Sequence, residues 1–122
     1  MDTNFDAPDY SLQIEKKTRG DALLFHCRGG FSLVNHALLD GIFEQIKATP
    51  KRKVVLDLSG IRFMDSVGLG TIAAILKHAM STKKIFVLVS NDIVDQNISA
   101  ASLTKVICTV HSLEEALAIP AP

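Results

Sequence analysis

The stretch "VVLDLSGIRFMDSVGLG", residues 54–70, decides how the chain folds. An apolar run broken by Asp57 reads as a buried strand, a short loop follows, and Asp65 and Ser66 then precede a Gly-Leu-Gly that opens a helix. The spacing predicts that helix over about residues 67–80, with Leu69, Ile72, Ala73, Leu76 and Met80 along its apolar face. Ser and Asp both favour the N-cap, where a side-chain oxygen accepts hydrogen bonds from unpaired first-turn N–H groups. Gly68 and Gly70 are poor helix formers, and their lack of bulk would leave the helix start and Ser66 open to an approaching surface. Ser66 is therefore either a cap or a displayed hydroxyl.

Working outward, "YSLQIEKKT" alternates as a half-buried strand, "RGD" at 19–21 turns the chain, and "ALLFHCRGG" returns as a second strand. "NHALLDGIFEQIKATP" places Leu38, Leu39, Ile42, Phe43 and Ile46 at helical spacing between an Asn35 cap and Pro50. After the central unit, "IFVLVS" is a short buried strand, "NDIVDQNISAAS" a helix capped by Asn91 or Asp92, and "KVICTV" a last strand. "SLEEALA" closes the chain with a capping box, Ser112 and Glu115. The order ββαβαβαβα, with helices separating the strands, predicts an α/β fold: a mixed, mostly parallel sheet of about five strands with about four helices. Residues 1–9 carry three Asp, one Pro and no base and read as a flexible tail, leaving a single domain over 10–119.

Lys plus Arg and Asp plus Glu each number 13, so nothing in the net charge draws the protein to nucleic acid or an anionic membrane. Cys27 and Cys108 form no CxxC pair, and the histidines at 26, 36, 78 and 111 lack metal-ligand spacing, so no metal or other cofactor is expected. The acidic N-terminus has no secretory pattern, and no apolar run approaches the roughly 20 residues that span a bilayer. A cytoplasmic protein with free thiols is expected. Of those thiols, Cys27 or its neighbour His26 should face the core, and Cys108 should be core as well.

In open parallel sheets, sites gather at the carboxyl ends of strands, which is where Asp65 and Ser66 fall. An esterase-type elbow needs G-x-S-x-G, but Met64 stands where its first glycine belongs, and His78 lies about 18 Å along the same helix from Ser66. The glycines lack the Lys of a Walker loop, and Ala73 replaces the third glycine of a dinucleotide fingerprint. No enzymatic activity is expected. Asp57 reads as a local cap or ion pair, and Lys51, Arg52 and Lys53 as a solvated start to the strand.

The same 17 residues resemble the signature of STAS domains, particularly bacterial anti-sigma factor antagonists: an apolar strand, Asp-Leu-Ser/Asn, then Asp-Ser-x-Gly-Leu-Gly. The likeness extends more loosely from Tyr10 to Ala118, through "SLTKVICTVHSLEEAL". It implies that Ser66 is the acceptor for a GHKL-type serine kinase that is also an anti-sigma factor. The unmodified domain would bind that kinase, phosphorylation would release it, and a PP2C-type phosphatase would reset the switch. It further implies partner binding through Asp65, Ser66, Val67, Gly68 and Gly70, and places Ser32 near the partner surface. Two positions depart from the pattern: Val67 replaces a frequent second hydroxyl, and Ser32 replaces a frequent Asp. Some STAS-like domains serve instead as unphosphorylated scaffolds in transport or stress-signalling assemblies, a role in which Ser66 would only cap.

Overall fold

A computed structural model describes residues 9–122; most of the expected N-terminal tail, residues 1–8, lies outside the described residues. Strand β1 (Leu12–Arg19) turns at Gly20-Asp21 into β2 (Ala22–Phe31), its antiparallel neighbour. A single 3-10 turn (Leu33–Asn35) leads into α1 (His36–Ala48), which is followed by β3 (Lys53–Met64) and α2 (Ser66–Thr82). Then come β4 (Ile85–Val89), α3 (Asp92–Ala100), β5 (Cys108–Val110) and α4 (Leu113–Ala118). The five strands lie in sequence order, β2 to β5 parallel, so the mixed α/β sheet and its four helices match the order read from the sequence.

Strand alternation divides the apolar residues between two faces. Leu23, Phe25, Cys27, Val54, Leu56, Leu58, Phe86 and Leu88 form the larger core with α1, α2 and α3. On the other face, Ala22, Leu24, Val55, Val87 and Val89 pack against Ala116 and Leu113 of α4. Lys53, expected in solvent, is buried there: its Nζ donates to the carbonyls of Ala116 and Ile119. A cation placed against the last carbonyls of a helix satisfies orphan acceptors and complements the dipole. Desolvation nevertheless pushes the Lys53 ammonium below its usual range.

The apolar stripe of α2 also differs from expectation. Gly68, Ile72, Ile75 and Ala79 are its buried residues, whereas Leu69 and Leu76 are half-buried and Met80 is 70% exposed. Both stripes satisfy helical spacing, and the close seat of Gly68 selects the observed one. Leu38 of α1 likewise turns outward, and Asn35 holds the N-cap position of α1 as expected but makes no side-chain cap hydrogen bond, its amide donating instead to the Tyr10 and Gly30 carbonyls. Cys108 is exposed and Cys27 buried; burial raises the Cys27 thiol to about 12, so it stays protonated. Strand β5 is shorter than "KVICTV" because Val106 and Ile107 donate to Leu103 O, taking those residues into a turn.

The end of β5 is latched to α3. His111 Nε2 lies 2.9 Å from Asp95 Oδ2, and Ser90 Oγ donates to Asp95 Oδ1 at 2.7 Å. The hydrogen bond and charge of Asp95 raise His111 above 6.5. Burial alone would raise Asp95, but hydrogen bonds from Ser90 and His111 outweigh it and lower the carboxyl below 3.8. The His111 contribution to stability is thus complete below pH 6.5 and lost as pH rises through its raised folded value. That of Asp95 is complete above pH 3.8 and lost as pH falls through its lowered one. In thermal melts, the advantage of the wild type over His111→Gln should therefore be largest at mildly acidic pH and shrink under alkaline conditions.

Candidate partner-binding site

Strand β3 delivers Asp65 in extended conformation (φ −125°, ψ −172°), and Asp65, not Ser66, is the N-cap of α2. Its Oδ1 accepts from the Val67 and Gly68 N–H groups at 3.0 and 3.1 Å. Its Oδ2 accepts from Leu33 N–H at 2.9 Å, so one carboxylate ties the helix start to the 3-10 turn after β2. A carboxylate also complements the positive end of the helix dipole.

With the cap supplied by Asp65, Ser66 becomes the first residue of α2 and is exposed. Among the described residues its hydroxyl makes no hydrogen bond. Among the described residues no His or carboxylate side chain is hydrogen-bonded to that hydroxyl, the contact by which a base activates a serine nucleophile. The hydroxyl is displayed to solvent at a helix N-terminus, a setting able to hold an added anion.

The two glycines have opposite roles. Gly68 is buried, and a Cβ there would stand 1.9 Å from Phe31 O and 2.8 Å from Phe31 C. Its missing side chain serves helix-to-strand packing, not the access expected from the sequence. Gly70 is exposed and a Cβ there would meet nothing within 4 Å, so at that position the surface is open. Val67 is half-buried against the main core.

Ser32 is 1% exposed, and its Oγ has no hydrogen-bond partner among the described residues. As placed, it supports the surface from beneath instead of forming it. Large apolar side chains exposed in the adjoining turn and helix were not expected from the sequence: Leu33 is 58% exposed, Val34 69% and Leu38 47%. Nearby, Asn35 binds Tyr10 O, and the Tyr10 ring packs 4.7 Å from that of Phe63, both rings partly exposed. Exposed apolar side chains gathered beside one polar group mark an interaction surface more than chance exposure does. Position alone could have flagged Leu33 and Val34, since their loop follows the carboxyl end of a parallel strand.

Among the described residues, no group of three or more His, Cys, Asp or Glu is placed to hold a metal ion, and no helix is long and apolar enough to cross a membrane. The STAS domain family model matches residues 13–116. The chain belongs to the STAS domain family. A Thermotoga neapolitana relative, named as a candidate anti-sigma factor antagonist and TM1081 homolog, is 31% identical over 83 residues, 67% of this chain and 74% of the relative. The crystal structure of an anti-sigma factor antagonist from Mycobacterium paratuberculosis superposes with a TM-score of 0.79 at 23% identity, covering 93% of this chain and 96% of that one. A Thermotoga maritima structure, likewise a candidate anti-sigma factor antagonist, gives 0.78 at 24% identity over 85% and 91%. The STAS fold here is thus that of the anti-sigma factor antagonists.

The glycine assignment is checked by urea denaturation. Gly68→Ala should destabilise by about 1–3 kcal/mol or more, because backbone must move to admit the methyl. Gly70→Ala should stabilise by roughly 0.4–1 kcal/mol, since it enters open space in a helix interior.

Proposed function

We propose that this STAS domain is a phospho-switched anti-sigma factor antagonist. Unmodified, it binds a GHKL-type serine kinase that doubles as an anti-sigma factor, in the cytoplasm. Phosphorylation of Ser66 ends the complex, and a PP2C-type phosphatase restores it. The domain acts by binding and catalyses nothing itself. The observation that carries this reading is the exposed Ser66 hydroxyl, relieved of capping by Asp65 and set beside the apolar turn of Leu33 and Val34.

The physics of the switch is asymmetric. A phosphoserine adds a charge of about −1.5 to −2 and three acceptor oxygens. Within the domain, the N-terminus of α2 favours that anion by about 0.3–1 kcal/mol, so the fold persists. Across a desolvated interface, an unpaired charge costs about 2–5 kcal/mol, or about 30-fold to more than 1,000-fold in affinity. The modification is therefore tolerated by the fold and rejected by the complex. Gly70 keeps the approach to Ser66 low, Val67 anchors its neighbour, and Asp65 and Gly68 fix its position.

The test is incubation with the cognate kinase and ATP. Wild type should be labelled once and then lose affinity for the kinase within the range above, while Ser66→Ala should remain unlabelled and still bind. Undiminished labelling of Ser66→Ala would refute the assignment. Val34→Asp should weaken kinase binding without changing the melting temperature appreciably, because the side chain is 69% exposed. If wild type and phosphorylated protein bind the same partner equally, the domain is a scaffold, not a switch.

A further inference from the structure

A polar constellation sits far from any role in this switch, on the sheet face that α4 covers only in part. Helix α4 packs over Ala22, Leu24, Val55, Val87 and Val89, and His26 and Asp57 continue the β2 and β3 alternation beyond that apolar cluster. There His26 faces Asp57 across the β2–β3 ladder, its Nδ1 2.8 Å from Asp57 Oδ2. The Asp57 side chain is 4% exposed and that of His26 32%. Asp57 Oδ1 also accepts from Ser59 N at 3.0 Å and Ser59 Oγ at 2.7 Å. A buried carboxylate orienting a half-exposed imidazole is costly to place where an apolar residue would continue the neighbouring cluster.

Two register shifts shape the adjoining surface. The ladder steps from His26↔Asp57 to Arg28↔Gly60, and again from Gly29↔Ile61 to Gly30↔Phe63. Such bulges re-aim side chains. A Cβ on Gly60 would stand 2.7 Å from Arg28 Cγ, so the glycine leaves room for the Arg28 stem to lie across β3. Arg28 Nη2 donates to the Gln13 amide oxygen at 2.9 Å. A groove of about 380 Å³ lies along Gln13, Glu15, His26 and Arg28. A second of about 240 Å³, reaching Arg62, shares Gln13 and Arg28 with it.

The charges facing this groove are unequally matched. Glu15 of β1 pairs with Lys17 at 3.5 Å, and Asp57 of β3 with His26. Arg62 lies close enough to Asp9 to lower its carboxyl, after the larger effect of the Ser11 hydrogen bonds. Arg28 pairs with no carboxylate among the described residues; its one side-chain hydrogen bond is to the neutral Gln13 amide, which leaves most of its five-donor fork free. A planar guanidinium fork beside an oriented imidazole matches an oxyanion. Glu15 and Asp9 oppose an extended polyanion, which limits the ligand to one anionic group.

We propose that this groove binds a small ligand through its phosphomonoester or carboxylate group, with Arg28 as the principal contact and His26, in the imidazolium form that gives Nδ1–H to Asp57 and keeps Nε2–H for the ligand, as the second. The site is independent of Ser66 and of the switch. It is tested by amide NMR titration of the full chain with glycerol phosphate and, separately, acetate at constant ionic strength. Saturable shifts confined to residues 13–15, 26–29 and 57–62 are expected with at least one of them, and the one that saturates names the group. Arg28→Gln should weaken that binding about tenfold or more, the loss of one bidentate charge-assisted contact, and Arg28→Lys should recover only part of it. Lys105→Gln, beyond the opposite edge of the sheet, should change nothing. Absence of saturation with both anions, equal binding by Arg28→Gln, or shifts centred on the start of α2 would each overturn the proposal.

Discussion

Three backbone N–H groups, from Val67, Gly68 and Leu33, converge on the single carboxylate of Asp65, and the candidate surface depends on that convergence. Helix starts leave four N–H groups without intrahelical partners, and the cap residue that answers them is spent in doing so. Because Asp65 is spent, Ser66 is not. The same carboxylate reaches across to the turn after β2, so the apolar side chains of Leu33 and Val34 are held in register with the hydroxyl they flank. One side chain thus fixes the relative position of two loops that arrive from different strands.

The second constraint is steric. Helix α2 can approach β2 only because position 68 has no side chain to strike the Phe31 carbonyl. That contact chooses between two apolar stripes that the sequence offers equally well. Choosing the Gly68, Ile72, Ile75, Ala79 stripe rotates Met80 out of the core and leaves Leu76 half-buried. The N-terminus of the helix, and Ser66 with it, is therefore aimed by a backbone contact, while the apolar residues farther along supply the burial.

Much of this was legible in the sequence, for physical reasons that also explain what was not. Strand and helix periods differ, so the element order and the Ser112–Glu115 capping box could be read directly, and the α3 cap could be narrowed to Asn91 or Asp92, of which Asn91 caps. The pairing of Ser66 with a neighbouring acid was visible, but which of two good capping residues would cap was not, since both have the chemistry and only the backbone path decides. Long-range partners were hidden altogether. Lys53 looked like one of three solvated bases until the end of α4 supplied carbonyls 63 and 66 residues away. Asp57 was read as a local pair, and part of its bonding, to Ser59, is local; its partner His26 is 31 residues earlier, brought opposite by parallel register. Cys108 was assigned to the core by its apolar neighbours, yet it is exposed on a three-residue strand at the edge of the sheet.

Asp57 in the sheet and Ser66 at the start of α2 differ in how they are coupled to stability. Asp57 is buried and accepts from a backbone N–H, a hydroxyl and an imidazole, so a change in its partners is felt by the β2–β3 ladder. Ser66 has no such ties among the described residues: its hydroxyl faces solvent at the first helical position. A covalent charge added there meets a favourable dipole at its own helix and disturbs no internal hydrogen bond. The modification proposed for Ser66 would therefore leave the folded domain undisturbed through each cycle. Asp65 performs the capping task one residue earlier, and the Ser66 hydroxyl is left out of it.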